Sequence, residues 1–282
     1  MNTTLDVRPS PIAGQWYPSD VDELSKLVDG FIETASLPEI DGEVIAVMAP
    51  HAGHRYSGPV AGYSFAALRG LKPELIAVLS PMHHPYYEPL LTTSHAAYGT
   101  PLGTIEVAHG VLDGLDASLK DRLGFGLTRI SNDPEHSLEI ELPFLQRTFP
   151  DPFQLVPVMV RDPKEFIAKN LGEALAELLQ DHSSLLVAST DLSHFYPQHV
   201  AEVLDSEVLK QVVALDPSGV IEVEDRGKGY ACGRGALAAV MWAAINLGAN
   251  KAQILNYATS GDVTGDYSQV VGYAAAVFTH CS

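Results

Sequence analysis

A chain of 282 residues, 46% hydrophobic and 18% charged with a mean hydropathy of +0.07, has ample material for a large core, which excludes a disordered polymer. Its 17 Lys and Arg stand against 35 Asp and Glu, and the formal charge of −18 repels phosphate backbones and anionic lipid surfaces, so nucleic acid is excluded as a partner. Two cysteines, Cys232 and Cys281, cannot build a disulfide framework, which points to a reducing cytoplasm.

Met1 to Pro11 carries no basic stretch followed by an apolar one, and no later run reaches the roughly 18 apolar residues of a membrane span, so no membrane role is expected. A helical pattern over Val21 to Ala35 leads into an apolar strand, Val44 to Ala49, and a second helix over Val60 to Leu68. Strand Leu75 to Ser80 is followed by an irregular excursion or small antiparallel hairpin, Tyr86 to Glu106, of the kind that walls an active site. Helix Ser137 to Phe149, strand Gln154 to Val160, helix Lys164 to Gln180, strand Ser184 to Ser189 and helix His199 to Leu215 continue the alternation. Gly233 to Leu247 reads as a helix, its apolar Gly235 to Leu247 portion buried in the core, and strands Ala252 to Ala258 and Val270 to Phe278 close the chain. The strands are nearly continuous hydrophobic runs, which means burial on both faces. No linker, repeat or low-complexity tract interrupts them. The expectation is an α/β fold over 1–282: a single-domain three-layer sandwich with a mostly parallel, mixed central sheet flanked by helices.

In open α/β sheets ligands bind beyond the carboxyl ends of the strands, and that is where His51, His54, His83, His84 and His194 fall. After the first strand, Pro50 stops the run and Gly53 and Gly58 permit tight turns that aim His51 into a cleft; a plain turn with a helix-capping histidine is the alternative. Ser80-Pro81-Met82-His83-His84-Pro85 repeats the arrangement, with one of the two histidines facing inward and the other bracing a loop or binding substrate. Asp191, after the strand ending at Ser189, is placed to orient an imidazole, ligate a metal or act as acid/base group, or else to cap a helix, while His194 can shuttle a proton near neutral pH.

Cys232 opens a long apolar helix, where the dipole favours thiolate, the form that ligates metal; a buried inert thiol is the competing reading. Asn132 to Glu139 reads as a helix start, with Pro134 early and Glu139 in a staggered cap, and His136 able to reach the cleft. Arg55 and Arg234, each beside a cluster, can receive an anion. There is no Gly-x-Gly-x-x-Gly after a strand, no Walker-type loop, no Cys-x-x-Cys and no nucleophile elbow, so nucleotide cofactors, structural zinc and serine hydrolysis have no support.

Gly14-Gln15-Trp16-Tyr17-Pro18, Pro50-His51-Ala52-Gly53 with Tyr56-Ser57-Gly58, Ser80-Pro81-Met82-His83-His84, Glu135-His136-Ser137-Leu138-Glu139, Asp191-Leu192-Ser193-His194, Cys232-Gly233 and Leu255-Asn256-Tyr257 together resemble the Memo family, in order and along nearly the whole chain. In bacteria and archaea that family is similar to the B component of the AmmeMemoRadiSam gene sets, and its fold resembles the LigB-type class III extradiol dioxygenases. The resemblance implies a metal centre with His51, His83 and Cys232 as ligands and with Asp191 and His194 beside it; from the residues themselves, Asp191, His194 and Cys232 are the candidate catalytic groups, and His54, His84, His136, Arg55 and Arg234 the candidates to touch substrate or brace the ligands. Two departures stand out: His54 lies where the family more often has tyrosine, and Cys232 lies where the related dioxygenases use a carboxylate.

Two imidazoles and a thiolate suit a divalent or redox metal ion, iron first and copper or zinc next, and suit magnesium or calcium poorly. The expected function is a metal-dependent redox protein or oxidoreductase acting on a small-molecule or peptide ligand, with a homo-oligomer compatible. The competing readings are a ring-cleaving extradiol dioxygenase and a non-catalytic module that captures a peptide or phospho-ligand.

Overall fold

The computed structural model describes residues 6–281. The elements run β1 (Val7–Arg8), α1 (Val21–Thr34), β2 (Glu43–Ala49), α2 (His54–Ala66), β3 (Leu75–Pro81), β4 (Leu90–Thr93), β5 (Ala97–Thr100), β6 (Gly103–Glu106), α3 (His109–Leu123) and β7 (Thr128–Ile130). A 3-10 turn at Glu139–Glu141 feeds α4 (Leu142–Thr148), followed by β8 (Gln154–Val160), α5 (Glu165–Leu179), β9 (Ser184–Ser189), β10 (His194–Tyr196) and α6 (Gln198–Val213). The chain ends with α7 (Pro217–Asp225), α8 (Arg234–Asn246), β11 (Lys251–Thr259), α9 (Ser260–Thr264) and β12 (Val270–His280).

A nine-stranded mixed sheet follows the order β10-β12-β2-β9-β3-β8-β4-β7, with β11 also paired to β12. Its centre is parallel: β2, β9, β3 and β8 run alongside one another, while β12 joins β2 antiparallel and β11 is in turn antiparallel to β12. β3 is buried at every position, which is why its sequence shows no alternation. Helices α1, α2 and α4 pack on one another, α2 resting on β2 and β12, while α3, α5 and α8 form a second group, α8 resting on β2, β3, β8 and β9. This is the expected sheet flanked by helices. Among the described residues no helix is long and apolar enough to cross a membrane, and most of α8 is core.

Local chemistry explains the element ends. Asp20 accepts from the N–H groups of Asp22 and Glu23 at 3.0 Å each, capping α1, whose Leu24, Val28 and Ile32 recur every four residues and are buried. The helix predicted from Val60 begins at His54 instead, because Pro59 sits inside it on the exposed side, where its missing N–H is tolerated. The Tyr86 to Glu106 excursion contains the hairpin β5–β6 and contributes β4 to the main sheet. α3 and α7 were not predicted: α3 buries Leu112, Leu115 and Leu119 on a mostly polar helix, too sparse a stripe to stand out.

α5 and α8 approach closely at Gly172, where a Cβ would lie 2.4 Å from Ala239 O and 2.7 Å from Trp242 Cβ. Gly172→Ala must therefore push two buried helices apart. The expected loss is about 1–3 kcal/mol, read as a lower urea midpoint with an unchanged slope.

Candidate metal centre

The parallel strands β2, β3 and β9 end at the same edge of the sheet, and each hands a polar loop to that edge. His51 follows β2 after Pro50, and its backbone N–H donates to Asp191 Oδ1 at 2.7 Å across from the end of β9. Its ring is 1% exposed, with Nδ1 2.9 Å from Ser189 Oγ and Nε2 3.1 Å from Cys232 Sγ. His83 follows β3, and Glu135 grips it twice, accepting its backbone N–H at 2.6 Å and lying 2.9 Å from Nδ1. A carboxylate on one imidazole nitrogen fixes the tautomer and leaves the other nitrogen bare. Of the adjacent pair, His83 is thus the inward-facing residue. His84 stands beside it without a hydrogen bond among the described residues, close enough for its charge to weigh on His136.

His136 completes the group. His51, His83 and His136 each offer one ligand atom, all within 4.8 Å of one another, a cluster that could hold a metal ion. The rings of His83 and His136 stack at 4.9 Å, His51 meets both edge-on at 5.3 and 5.5 Å, and Trp16 backs His136 at 4.0 Å. The third nitrogen therefore comes from a residue assigned by sequence to the surroundings, whereas Cys232 stands at the flank of His51.

Burial pushes His51 well below its ordinary pKa and His136 down to about 4, with the neighbouring imidazoles adding to both shifts, so these rings are neutral at pH 7 and free to bind a cation. Burial would raise the Glu135 carboxyl, but its bonds from His83 and the backbone N–H of Ser137, with the fields of His83 and His136, hold it well below the usual carboxylate range.

Cys232 precedes the first turn of α8. Gly233 lets that turn dock on the end of β9, since a Cβ there would lie 2.5 Å from Ser189 O. The thiol is not activated as the helix start suggested: burial, then the field of Asp191, push its pKa well above normal, outweighing the Asp191 N–H at 3.3 Å and the Gly233 N–H. Asp191 does not cap a helix. Its carboxyl braces the backbone of His51 and Ala52, and burial raises its pKa to about 7. His194 donates Nδ1–H to Leu192 O at 2.8 Å, and its ring lies 5.5 Å from Tyr230, within range for its charge to weigh on His51. A cavity of about 260 Å³ opens beside the cluster, lined by His83, Cys232, Tyr230, Arg161, Glu224 and Arg234 among others.

Two of the predicted surrounding residues are placed elsewhere, and a third is at the cavity but already paired. His54 is buried at the start of α2 between Tyr17 and Phe144, its Nε2 donating to Ile140 O at 2.9 Å. Arg55 is exposed, its guanidinium 5.7 Å over the Tyr56 ring on a separate depression behind Trp16. Arg234 lines the cavity but is committed to Asp225 at 2.7 Å and Glu224 at 3.6 Å. Glu139 is not a staggered cap either: it is fully buried and accepts from Arg8, Ser10 and Tyr17.

Arg8, unmarked in the sequence, is 1% exposed and donates to both carboxyl oxygens of Asp133, to Asp133 O at 3.0 Å and to Glu135 O at 2.9 Å, fixing the loop that carries Glu135 and His136. A single arginine beside Pro9 carries no sequence signal of such burial.

Burial lowers the His54 pKa to about 4, with the Ile140 carbonyl opposing, from an unfolded value of 6.5. A base depressed in the folded state gives stability that is full above pH 6.5 and lost as the pH falls towards 4. Between pH 7 and pH 5 this one group should cost about 2 kcal/mol. His54→Gln, which keeps a donor for Ile140 O, is expected to flatten the pH dependence of the melting temperature over that interval; an unchanged slope would contradict the assignment.

The sequence profile described as Memo-like protein matches residues 8–277. A MEMO1 family protein of Methanopyrus kandleri is 38% identical over 281 residues, covering 96% of this chain and 98% of its own. Relatives described in the same words from Nitrosopumilus maritimus and Methanosarcina barkeri are each 34% identical, covering 96% of this chain and 99% of theirs. A solved structure of an uncharacterized Escherichia coli K12 protein superposes with a TM-score of 0.47 at 14% identity, over 83% of this chain and 100% of that one.

Proposed function

The chain belongs to the Memo-like family, and from that premise we propose that its cleft binds one redox-capable metal ion and that the protein acts as a metal-dependent oxidoreductase on a small-molecule or peptide ligand. The observation that carries this reading is the convergence of His51, His83 and His136, with the Cys232 sulfur beside His51. Imidazoles with a soft sulfur suit iron, copper or zinc and suit magnesium or calcium poorly. Bound iron or copper would supply one-electron chemistry, and zinc Lewis-acid chemistry alone.

The chain's own groups divide the remaining work. Glu135 holds the His83 ring. Asp191 holds the turn that carries His51, a positioning role, rather than meeting substrate. His194, with Nδ1–H committed to Leu192 O, keeps its other nitrogen as the proton acceptor of the cleft. Substrate enters from the cavity side, where His83 is the most open of the three rings at 34% side-chain exposure.

Among the described residues no carboxylate joins the three nitrogens, so the two-His-one-carboxylate set of an extradiol dioxygenase is not what this cleft presents. Anaerobic loading with ferrous or cuprous ion, followed by metal analysis, tests the proposal. Close to one ion per chain is expected, with more than half of it lost in a His51→Ala, His83→Ala, Cys232→Ala triple variant; retention of the metal by that variant would contradict it. The single variants His136→Ala and Cys232→Ala separate the third nitrogen from the sulfur. His136→Ala is expected to lower affinity the more.

A further inference from the structure

Behind His51, away from the cleft, lies a buried acid that the proposed function does not use. Glu141 is 0% exposed, its Oε1 lies 2.8 Å from Ser189 Oγ, and its Oε2 has no partner. Ser189 Oγ also lies 2.6 Å from Ser137 O and 2.9 Å from His51 Nδ1. Three groups thus surround one hydroxyl, which has a single proton to give and two lone pairs to receive with.

Counting protons decides their roles. Ser137 O can only accept, so it takes the Ser189 proton, and the other two neighbours must donate. His51 does so from a protonated Nδ1, and Glu141 from a carboxylic O–H. The reverse assignment, with Ser189 donating to an ionised Glu141, would leave two oxygens facing each other 2.6 Å apart with no proton between them.

The far side of the ring agrees. The Cys232 sulfur lies 3.1 Å from Nε2, and a thiol there donates to that nitrogen only if it is bare. The Asp191 N–H points at the sulfur from behind, at 3.3 Å. Every contact in the row then holds one proton. Burial, opposed by the contact with Ser189 and aided by the field of Asp191, drives the Glu141 carboxyl towards its neutral form, as the count requires.

We propose that Ser189, backed by Glu141 as a neutral donor, is the positioning residue for His51, fixing its ring with Nδ1 protonated and Nε2 bare towards the cleft. The arrangement parallels the grip of Glu135 on His83 but uses a hydroxyl and an uncharged acid, so it adds no negative charge behind the most buried ring of the three. Its value for cation binding rests on the metal reading above; the tautomer itself does not.

The test is therefore made first without metal. Two-bond nitrogen–proton correlation spectra of the full-length, metal-free protein with 15N-labelled histidine report each ring's tautomer at pH 7. His51 is expected as the Nδ1–H form in the wild type and in Glu141→Gln, whose amide N–H replaces the carboxylic O–H. In Ser189→Ala it should become a mixture while His83 is unchanged, a pattern that general loosening would not give.

Zinc affinity by chelator competition should fall about 10–100-fold in Ser189→Ala and stay within about threefold in Glu141→Gln. A wild-type His51 protonated at Nε2, or a Glu141→Gln variant that loses as much affinity as Ser189→Ala, would overturn the proposal. If the tautomers behave as expected but the wild type binds no cation, the positioning role stands and the metal reading falls.

Discussion

Replacing His51 or His83 by alanine is expected to empty the cleft of metal. Loss of a group that merely orients a ligand costs about 10–100-fold in affinity, so loss of a ligand itself should exceed about 100-fold. Both rings belong to the three-nitrogen cluster and each has its second nitrogen engaged, by Ser189 and Glu135 respectively. The two variants should differ in stability. His51 is sealed against Ser189, Asp191 and Cys232, so its truncation leaves a buried hydroxyl and a thiol short of a partner, whereas the His83 ring is partly open to solvent. His83→Ala in turn deprives the buried Glu135 carboxyl of a partner, so in both variants the metal content is read beside the melting temperature of the metal-free protein. Full metal retention in His83→Ala would remove that ring from the site.

The second large effect is expected far from any metal. Arg8→Met should cost about 3–5 kcal/mol, because it leaves Asp133 and Glu139 as buried charges with no cation beside them. Against a typical total of about 5–15 kcal/mol, that is enough to bring the protein near unfolding at moderate temperature. The effect should reach the site, since the Arg8 guanidinium also holds the carbonyls of Asp133 and Glu135 in the loop that presents Glu135 and His136. Adding Asp133→Asn and Glu139→Gln to Arg8→Met removes the uncompensated charges and should recover most of the stability. If the single variant melts like the wild type, the buried ion cluster does not hold the loop.

The contrast between His51 and Arg8 shows what could be read from the sequence. The central strands were legible because β3, β8 and β9 are apolar along their length, and a sheet covered on both faces requires that. Once the strands were placed, the loops after β2 and β3 led to His51 and to the adjacent pair His83 and His84, since ligands gather at carboxyl ends of parallel strands. His136 was assigned a lesser role because its segment reads as a helix start; it is delivered by a loop that is shaped by Arg8, Asp133 and Glu135, residues up to 127 positions apart in the chain. Pairings of that kind leave no local period.

Exposure was equally hidden. His54, three residues after His51, looked like its companion, but a helix starting at residue 54 turns that side chain into the core against Phe144. Cys232 looked activated by a helix terminus, yet burial and the field of Asp191 push the thiol well above its ordinary pKa. α3 escaped detection because its buried leucines at 112, 115 and 119 lie among charged residues, so the stripe is only one side chain wide per turn.

The most direct test is an anomalous difference map, collected at metal absorption edges from crystals of protein purified without chelators. The account predicts a single strong peak bonded to His51 and His83, on the side of His51 Nε2, with an edge identifying iron, copper or zinc. A peak bonded to neither ring, or bonded to His51 through Nδ1, would contradict it.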